Sequence, residues 1–249
     1  MRRIAQFLYG ALAYAIFFGT FLYTAGFLSN QFVPKTIDSG ETGSLGTAVA
    51  IDLVLLALFA LQHSGMARPA FKRVWTRIVP EPIERATYVL LSCVVMIVVF
   101  AFWRPLPGTI WSFESTIGQA IGYGAFALGL ATVFYSTLLI DHFELFGLRQ
   151  VWDELRRRAA RRDDFVTPSL YRYVRHPLYV GWFITLWATP TLTTGHLLFA
   201  GTCTIYILVA VRLEERDLVS AFGRRYEDYQ AATPMFVPKG RPAPEAVTV

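Results

Sequence analysis

The side chains best suited to chemistry lie in a short stretch at the start of an apolar segment, YRYVRHPLYVGWF at residues 171–183. This stretch places a guanidinium, Arg175, beside an imidazole, His176, among several phenols. An arginine can hold a carboxylate through two parallel hydrogen bonds, and aromatic faces attract cations. Two carboxylates, Glu214 and Glu215, follow the next apolar run. The pattern indicates either a polar ligand site at a membrane boundary or an interfacial anchor.

Three further groups have the chemistry for proton transfer. His63 and His142 each end an apolar segment, whereas Asp52 lies inside one. An ionisable group within a bilayer is costly and should face the interior of a helical bundle. We therefore predict His142, His63 and Asp52 as candidate catalytic residues, with His142 favoured as the base. The open alternatives are a solvated or helix-capping role for each histidine and a structural hydrogen bond for Asp52. No metal site is predicted, because Cys93 and Cys203 each lie alone in an apolar run.

The elements that must position these groups are apolar segments of membrane-spanning length. The chain is 54% hydrophobic and 16% charged, whereas a soluble protein carries about 25% charge. A helix needs about 20 apolar residues to cross a bilayer. Four runs with at most one charged residue meet this length or come close to it: 4–28, 45–61, 86–103 and 117–140.

A further uncharged run, 177–211, is too long for one straight crossing at about 1.5 Å per helical residue. It contains TPTLTTG, a stretch with the composition of a turn. We therefore predict a short helix at 177–189 and another span at 196–211. The predicted fold is an all-α integral membrane protein with about six membrane helices, namely four spans plus a C-terminal helical hairpin. The regions are a four-span part, 1–140, a basic cytoplasmic loop, 141–176, and the hairpin with its tail, 177–249.

Lysine and arginine fall almost entirely on one side of this arrangement. Of the 23 such residues, 21 lie in the termini and in the loops 62–85 and 141–176, and two, Lys35 and Arg104, lie on the other side. The positive-inside rule then places both termini in the cytoplasm, and with them the polar residues named above that border the apolar segments. Because the net charge of +5 is explained as an orientation signal, no nucleic-acid partner is expected.

The two polar patterns together resemble the isoprenylcysteine carboxyl methyltransferase superfamily. That family shows an Arg-His-Pro-x-Tyr-x-Gly signature, a helical hairpin, a paired glutamate, then Phe-Gly-x-x-Tyr-x-x-Tyr and a tail that ends in proline. All of these stand in residues 170–238 here. The preceding two thirds, including IDLVLLALFALQHSGMARPAF and HFELFGLRQ, are similar to the bacterial membrane methanethiol S-methyltransferases.

The resemblance implies S-adenosylmethionine as methyl donor and methanethiol, a small volatile thiol, as acceptor, with dimethyl sulfide and S-adenosylhomocysteine as products. It also implies a bacterial inner membrane location and contact with membrane lipid. The thiol sulfur must attack as the thiolate. With the side-chain chemistry, the resemblance gives these cofactor-binding candidates: Tyr171, Arg175, His176, Pro177, Tyr179, Gly181, Glu214, Glu215 and Tyr226. Within this set Pro177 should fix where His176 points, and Gly181 should allow a ligand or a neighbouring helix to approach closely.

Other functions fit parts of the pattern. The acceptor of a related methyltransferase can be a prenylcysteine carboxylate or a lipid amine. A haem or quinone protein would use His63 and His142 from two helices. A channel or transporter is disfavoured because Asp52 is the one charge inside the predicted spans and no pair of broken helices recurs.

Overall fold

The computed structural model describes residues 1–159 and 165–240, and this part of the chain is mainly helical. In chain order the helices are α1 (Arg2–Ser29), α2 (Leu45–Ala67), α3 (Pro69–Trp75), α4 (Glu81–Phe102), α5 (Thr116–Leu139), α6 (His142–Leu145), α7 (Leu148–Arg156), α8 (Pro177–Trp187), α9 (Thr194–Phe222) and α10 (Arg224–Ala232), with a short 3-10 helix at Ser169–Arg172. Among the described residues, five of these helices are long and apolar enough to cross a membrane: α1, α2, α4, α5 and α9. The prediction of an all-α membrane protein is confirmed at this level.

The run 177–211 is broken, as its turn composition predicts. Its first part is α8, which has 11 residues and is about 16 Å long, roughly half of a bilayer core. Its second part belongs to α9, which has 29 residues and extends well beyond the predicted end at 211. The long α9 carries the paired glutamates Glu214 and Glu215 as a continuation of a span, so their direction is set by that helix.

The break contains a strand that the sequence did not predict. Strand β2 (Thr191–Thr193) pairs antiparallel with β1 (Thr109–Ser112), with a register shift between Thr109 and Trp111. Strands of three and four residues are too short to show an alternating pattern. The pair lies where α4 has ended and α9 begins, and it ties these two ends of the bundle together.

Helices α5 and α8 pack with their backbones in contact, because glycines face each other at the crossing. A Cβ atom at Gly181 would lie 2.7 Å from the backbone nitrogen of Val133, and one at Gly129 would lie 2.7 Å from that of Thr185. Real Cβ atoms do not approach backbone this closely, so only glycine fits. The neighbouring helix α5 therefore occupies the space beside Gly181, which is one of the two close approaches expected there.

Large apolar side chains fill the bundle and also cover its outside. Phe27, Val99, Trp103 and Phe199 are buried in one cluster contributed by α1, α4 and α9 and the residues next to them. Many other apolar side chains on the long helices are exposed, including Leu12 on α1. Exposed apolar surface on helices of this length suits contact with lipid chains.

Candidate functional site

Most of the predicted polar residues meet at one end of the bundle, where α2 ends and where α4 and α8 begin. We call this the polar end. The last turns of α9 lie at the same end. The helix boundaries thus bring His63, His176 and Glu214 to one end although they are far apart in sequence.

A single carboxylate, Glu215, holds Arg175 and His176 together. Arg175 Nε donates to Glu215 Oε1 at 2.7 Å, and His176 Nε2 lies 2.9 Å from the same oxygen. Gln230 Nε2 donates to the second oxygen, Oε2, at 3.0 Å. Arg175 Nη1 also donates to the backbone carbonyls of Gln230 and Thr233. We call these residues the Glu215 cluster; both carboxylate oxygens of Glu215 already have protein donors.

The Glu215 cluster shows how Arg175 and Glu215 are engaged within the protein. The Nε and Nη1 groups of Arg175 both donate to protein acceptors, and contact of Arg175 and Glu215 with a cofactor stays a prediction. The side chains of Arg175 and Glu215 are nearly buried, each with 10% exposure. A buried pair with satisfied hydrogen bonds fixes conformation, so the cluster acts as a structural brace for the polar end.

The tail after α10 is attached to the start of α8. The backbone N–H of Arg175 donates to Pro234 O at 2.9 Å, and that of His176 donates to Met235 O at 3.2 Å. The ring of Phe236 lies 6.1 Å from that of His176. Pro177 is the first residue of α8, a position at which a missing N–H costs nothing. The separated sequence patterns therefore belong to one packed unit.

The aromatic stripe on α10 is internal packing. Tyr226 is 2% exposed, and its ring lies 5.6 Å from that of Phe165. Tyr229 donates its hydroxyl hydrogen to Tyr171 O. Burial raises the pKa of Tyr226 and of Tyr229, so both phenols are neutral near pH 7. The structure thus places Tyr226 inside an aromatic cluster, and its contact with the cofactor stays a prediction.

Glu214 differs from its neighbour because its charge is not neutralised. Tyr179 donates its hydroxyl hydrogen to Glu214 Oε2 at 2.8 Å. Within the part of the chain that the structure describes, no lysine, arginine or histidine forms an ion pair with Glu214. Burial and then the nearby Glu214 raise the pKa of Tyr171. A half-buried carboxylate surrounded by phenols is an environment that attracts a cation.

His63 lies at the polar end among side chains of α2 and α4. Its Nδ1 lies 3.2 Å from Ser92 Oγ, and the Tyr88 hydroxyl lies 3.1 Å from both ring nitrogens. The ring of Phe59 stacks on the imidazole at 5.1 Å. Tyr88 is within electrostatic range of Glu214. We call His63, Tyr88, Ser92 and Phe59 the His63 pocket; Phe59 presents an aromatic ring to the imidazole, and Tyr88 and Ser92 present hydroxyl groups.

His142 occupies a separate set of contacts. Its Nε2 lies 2.8 Å from the Tyr14 hydroxyl and its Nδ1 lies 2.7 Å from Thr137 Oγ1, so both nitrogens are engaged. The side chain is 3% exposed, and aromatic rings such as Phe146 surround it. Burial lowers the pKa of His142, which keeps the imidazole neutral. Like His63, His142 therefore has protein partners at both ring nitrogens, and its role as a base stays a prediction.

The structure does not bring Asp52 to the polar end. Asp52 is fully buried near the start of α2, and its Oδ1 accepts from the backbone N–H of Arg104, just beyond the end of α4. His63 lies about three turns further along the same helix. Asp52 is buried inside the bundle, as expected for an ionisable group within a span, but it contacts a different end of the bundle from His63.

Residues that the sequence reading missed complete the site. Tyr88, Ser92 and Arg85 lie on α4, and Tyr206 on α9 donates to or accepts from Ser64 Oγ at 3.1 Å. Arg85 and Tyr88 are three residues apart and hence on one helical face, a spacing visible in the sequence. The sequence does not show which face of α4 packs against the other helices, so these residues could not be assigned to the site.

Residues 130–220 of the chain match the Isoprenylcysteine carboxyl methyltransferase (ICMT) family. The region from α5 to α9 is therefore that of a membrane-embedded methyltransferase. A methanethiol S-methyltransferase of Crocosphaera subtropica is 50% identical over 96% of this chain and 93% of its own length. Methanethiol S-methyltransferase 2 of Bradyrhizobium diazoefficiens is 48% identical over 95% and 91%. The methanethiol S-methyltransferase of Mycobacterium tuberculosis is 47% identical over 96% and 98%.

The chain belongs to the methanethiol S-methyltransferase family. It is an enzyme that transfers a methyl group. No solved structure matches the chain.

Proposed function

We propose that this protein transfers a methyl group from S-adenosylmethionine to methanethiol and releases dimethyl sulfide and S-adenosylhomocysteine. The near full-length identity to relatives named for this activity is the observation that carries the proposal. Support comes from two groups at one end of an apolar bundle: the His63 imidazole with hydroxyl groups around it, and the Glu214 carboxylate, which has no ion-pair partner among the described residues. A charged donor and an apolar acceptor need a site of that kind.

The donor site is proposed at Glu214 and Tyr179. When bound, S-adenosylmethionine supplies an electrophilic methyl group on a positively charged sulfonium. The carboxylate of Glu214 and the phenol rings of Tyr171 and Tyr179 offer the negative charge and aromatic faces that such a cation requires. The Glu215 cluster braces the start of α8, and so keeps Tyr179 turned towards Glu214.

The acceptor site is proposed at the His63 pocket. The imidazole of His63 takes the proton of the thiol, and the ring of Phe59 offers an apolar surface to its methyl group. The lone pair on the thiolate sulfur then forms the new carbon–sulfur bond while the old bond to the sulfonium breaks. Its electron pair stays on the sulfur of the departing thioether, and the proton on His63 passes to water. Holding both reactants in one pocket supplies much of the rate increase.

The polar end is proposed to face the cytoplasm, where the charged donor is made. In support, 21 of the 23 lysine and arginine residues lie on that side when α8 counts as a sixth membrane segment. The relatives named above come from bacteria, which favours the inner membrane.

The direct test is to incubate the purified protein with S-adenosylmethionine and methanethiol and to measure dimethyl sulfide in the headspace. We expect Glu214→Gln to lose about 10- to 150-fold in donor affinity, the effect of one charge-assisted hydrogen bond. Glu227→Gln, on the exposed face of α10, is the control and should behave as wild type. Normal donor binding by Glu214→Gln would remove Glu214 from the donor site.

A further inference from the structure

Arg85 is held in a fixed position at the start of α4. Its Nε donates to the backbone carbonyl of Leu145 at 2.8 Å. Its guanidinium carbon lies 5.2 Å from the centre of the Tyr88 ring, the distance of a cation–π contact. The turn that carries Leu145 packs closely on α4, because a Cβ at Gly147 would lie 2.5 Å from the backbone nitrogen of Ala86. Gly147 has a φ of +83°, which also favours glycine.

The charge of Arg85 is not neutralised by a carboxylate, unlike that of its neighbours. Arg68 pairs with Asp217 at 2.7 Å, and Lys72 pairs with Glu84 at 3.2 Å. Over the described ranges, 1–159 and 165–240, no carboxylate forms an ion pair with Arg85. A half-buried guanidinium without a counter-ion favours a nearby anion.

Tyr88 connects this charge to the His63 pocket. The phenol is 7% exposed, its ring contacts the guanidinium, and its hydroxyl lies 3.1 Å from the nitrogens of His63. A cation on a phenol ring makes the hydroxyl a stronger hydrogen-bond donor. The His63 imidazole, a proton acceptor, therefore lies beside the Tyr88 hydroxyl, a strengthened hydrogen-bond donor. Such a pair favours the ionised form of a small acid bound between them.

We propose that Arg85, acting through the ring and hydroxyl of Tyr88, stabilises the acceptor as its thiolate in the His63 pocket. This inference rests on the proposed function and deepens it. The S–H bond of the thiol breaks, its proton goes to a ring nitrogen of His63, and the Tyr88 hydroxyl donates to the sulfur anion. The anion is consumed when it takes the methyl group, which leaves a neutral product.

The pH dependence of this step depends on all charged and titratable neighbours of Tyr88. These are His63 on α2, Arg68 between α2 and α3, Arg85 on α4, and Tyr206 and Glu214 on α9. The two guanidinium groups favour the thiolate, whereas Glu214 disfavours it. Arg68 is already paired, so removal of Arg85 should change the balance most.

The test compares two acceptors of different acidity, methanethiol and the more acidic trifluoroethanethiol, in wild type, Arg85→Gln, Arg85→Lys and Tyr88→Phe. Near neutral pH we expect Arg85→Gln to lower kcat for methanethiol about 10- to 100-fold and to raise the pH midpoint of kcat by about one unit or more. Loss with trifluoroethanethiol should be only about threefold or less, since that thiol ionises without help. Tyr88→Phe should shift the midpoint in the same direction, and Arg85→Lys should shift it less.

The control is Arg77→Gln, an exposed arginine of the same loop that should match wild type with both thiols. If Arg85→Gln lowers kcat equally for both thiols and raises the KM for S-adenosylmethionine, Arg85 belongs to the site of the methyl donor and the proposal is overturned. An unchanged kcat and midpoint in Arg85→Gln would also overturn it. If Arg85→Gln does not fold, the pH midpoints of Tyr88→Phe and Arg85→Lys decide. Failure of the proposed function would be recognised by a different result, because the wild-type protein would then form no dimethyl sulfide.

Discussion

At the scale of single residues, two adjacent glutamates have opposite roles. Glu215 is hydrogen-bonded by Arg175, His176 and Gln230. Glu214 accepts from the Tyr179 hydroxyl and forms no ion pair with any basic residue in 1–159 and 165–240. Successive residues of a helix point about 100° apart, so neighbours in sequence face different surroundings. The sequence shows the pair, but the donors come from positions 15 to 40 residues away.

We expect Glu215→Gln to destabilise the fold and Glu214→Gln to spare it. Removing one charge from a buried, hydrogen-bonded pair costs about 3–5 kcal/mol, because the partner charge is left uncompensated. In Glu215→Gln that partner is Arg175. Thermal unfolding in detergent measures the difference, with Glu214→Gln as the matched neighbour. Equal melting temperatures for the two variants would contradict the structural role of Glu215.

His142 should make stability depend on pH. Burial lowers its pKa below the ordinary value of 6.5, so the unfolded chain takes up a proton at a higher pH than the folded protein does. Its contribution to stability is therefore complete above pH 6.5 and is lost as the pH falls towards the lower, folded value. Melting temperatures between pH 5 and 8 should show this loss in wild type and a smaller one in His142→Asn. An identical pH dependence in both proteins would rule out His142 as the source.

At the scale of elements, the four long spans before α8 could be predicted from the length of their apolar runs alone. Their predicted limits agree with α1, α2, α4 and α5 to within a few residues, apart from the later end of α2 and the earlier start of α4. The thickness of the hydrocarbon layer sets the length of a span, so these helices could be predicted from the sequence. The strand pair and the Glu215 cluster could not be predicted, because both depend on contacts between segments that are distant in sequence.

The contact of α5 with α8 gives a prediction at the same scale. Gly181→Ala should destabilise the protein by about 1–3 kcal/mol, since its Cβ would be 2.7 Å from the backbone of Val133. Gly124→Ala, on α5, is the control, because a Cβ there meets nothing within 4 Å. The measurement is thermal unfolding of both variants beside wild type. A Gly181→Ala protein as stable as Gly124→Ala would show that the helices have room to separate.

At the scale of the whole molecule, the account requires the polar end and both termini on the cytoplasmic side. The test uses intact cells that express a variant in which Cys93 and Cys203 have been replaced. Into this variant a single cysteine is introduced at one of two exposed positions, by Arg77→Cys or by Glu114→Cys. A membrane-impermeant thiol reagent should label position 114 from outside and should reach position 77 only after lysis. Labelling of position 77 in intact cells would invert the topology and move the proposed donor site away from its supply.

The central claim is transfer of a methyl group to a small thiol in a narrow pocket between helices. A pocket that encloses a small acceptor discriminates by about 1–3 kcal/mol per added methylene, so a long prenyl chain should be excluded. The most direct measurement is a competition assay in which one pool of methyl-labelled S-adenosylmethionine is offered to methanethiol and to a farnesylcysteine analogue together. The account predicts label in dimethyl sulfide and none above background in the farnesylated product. Methylation of the analogue at a rate equal to or above that of methanethiol would contradict it.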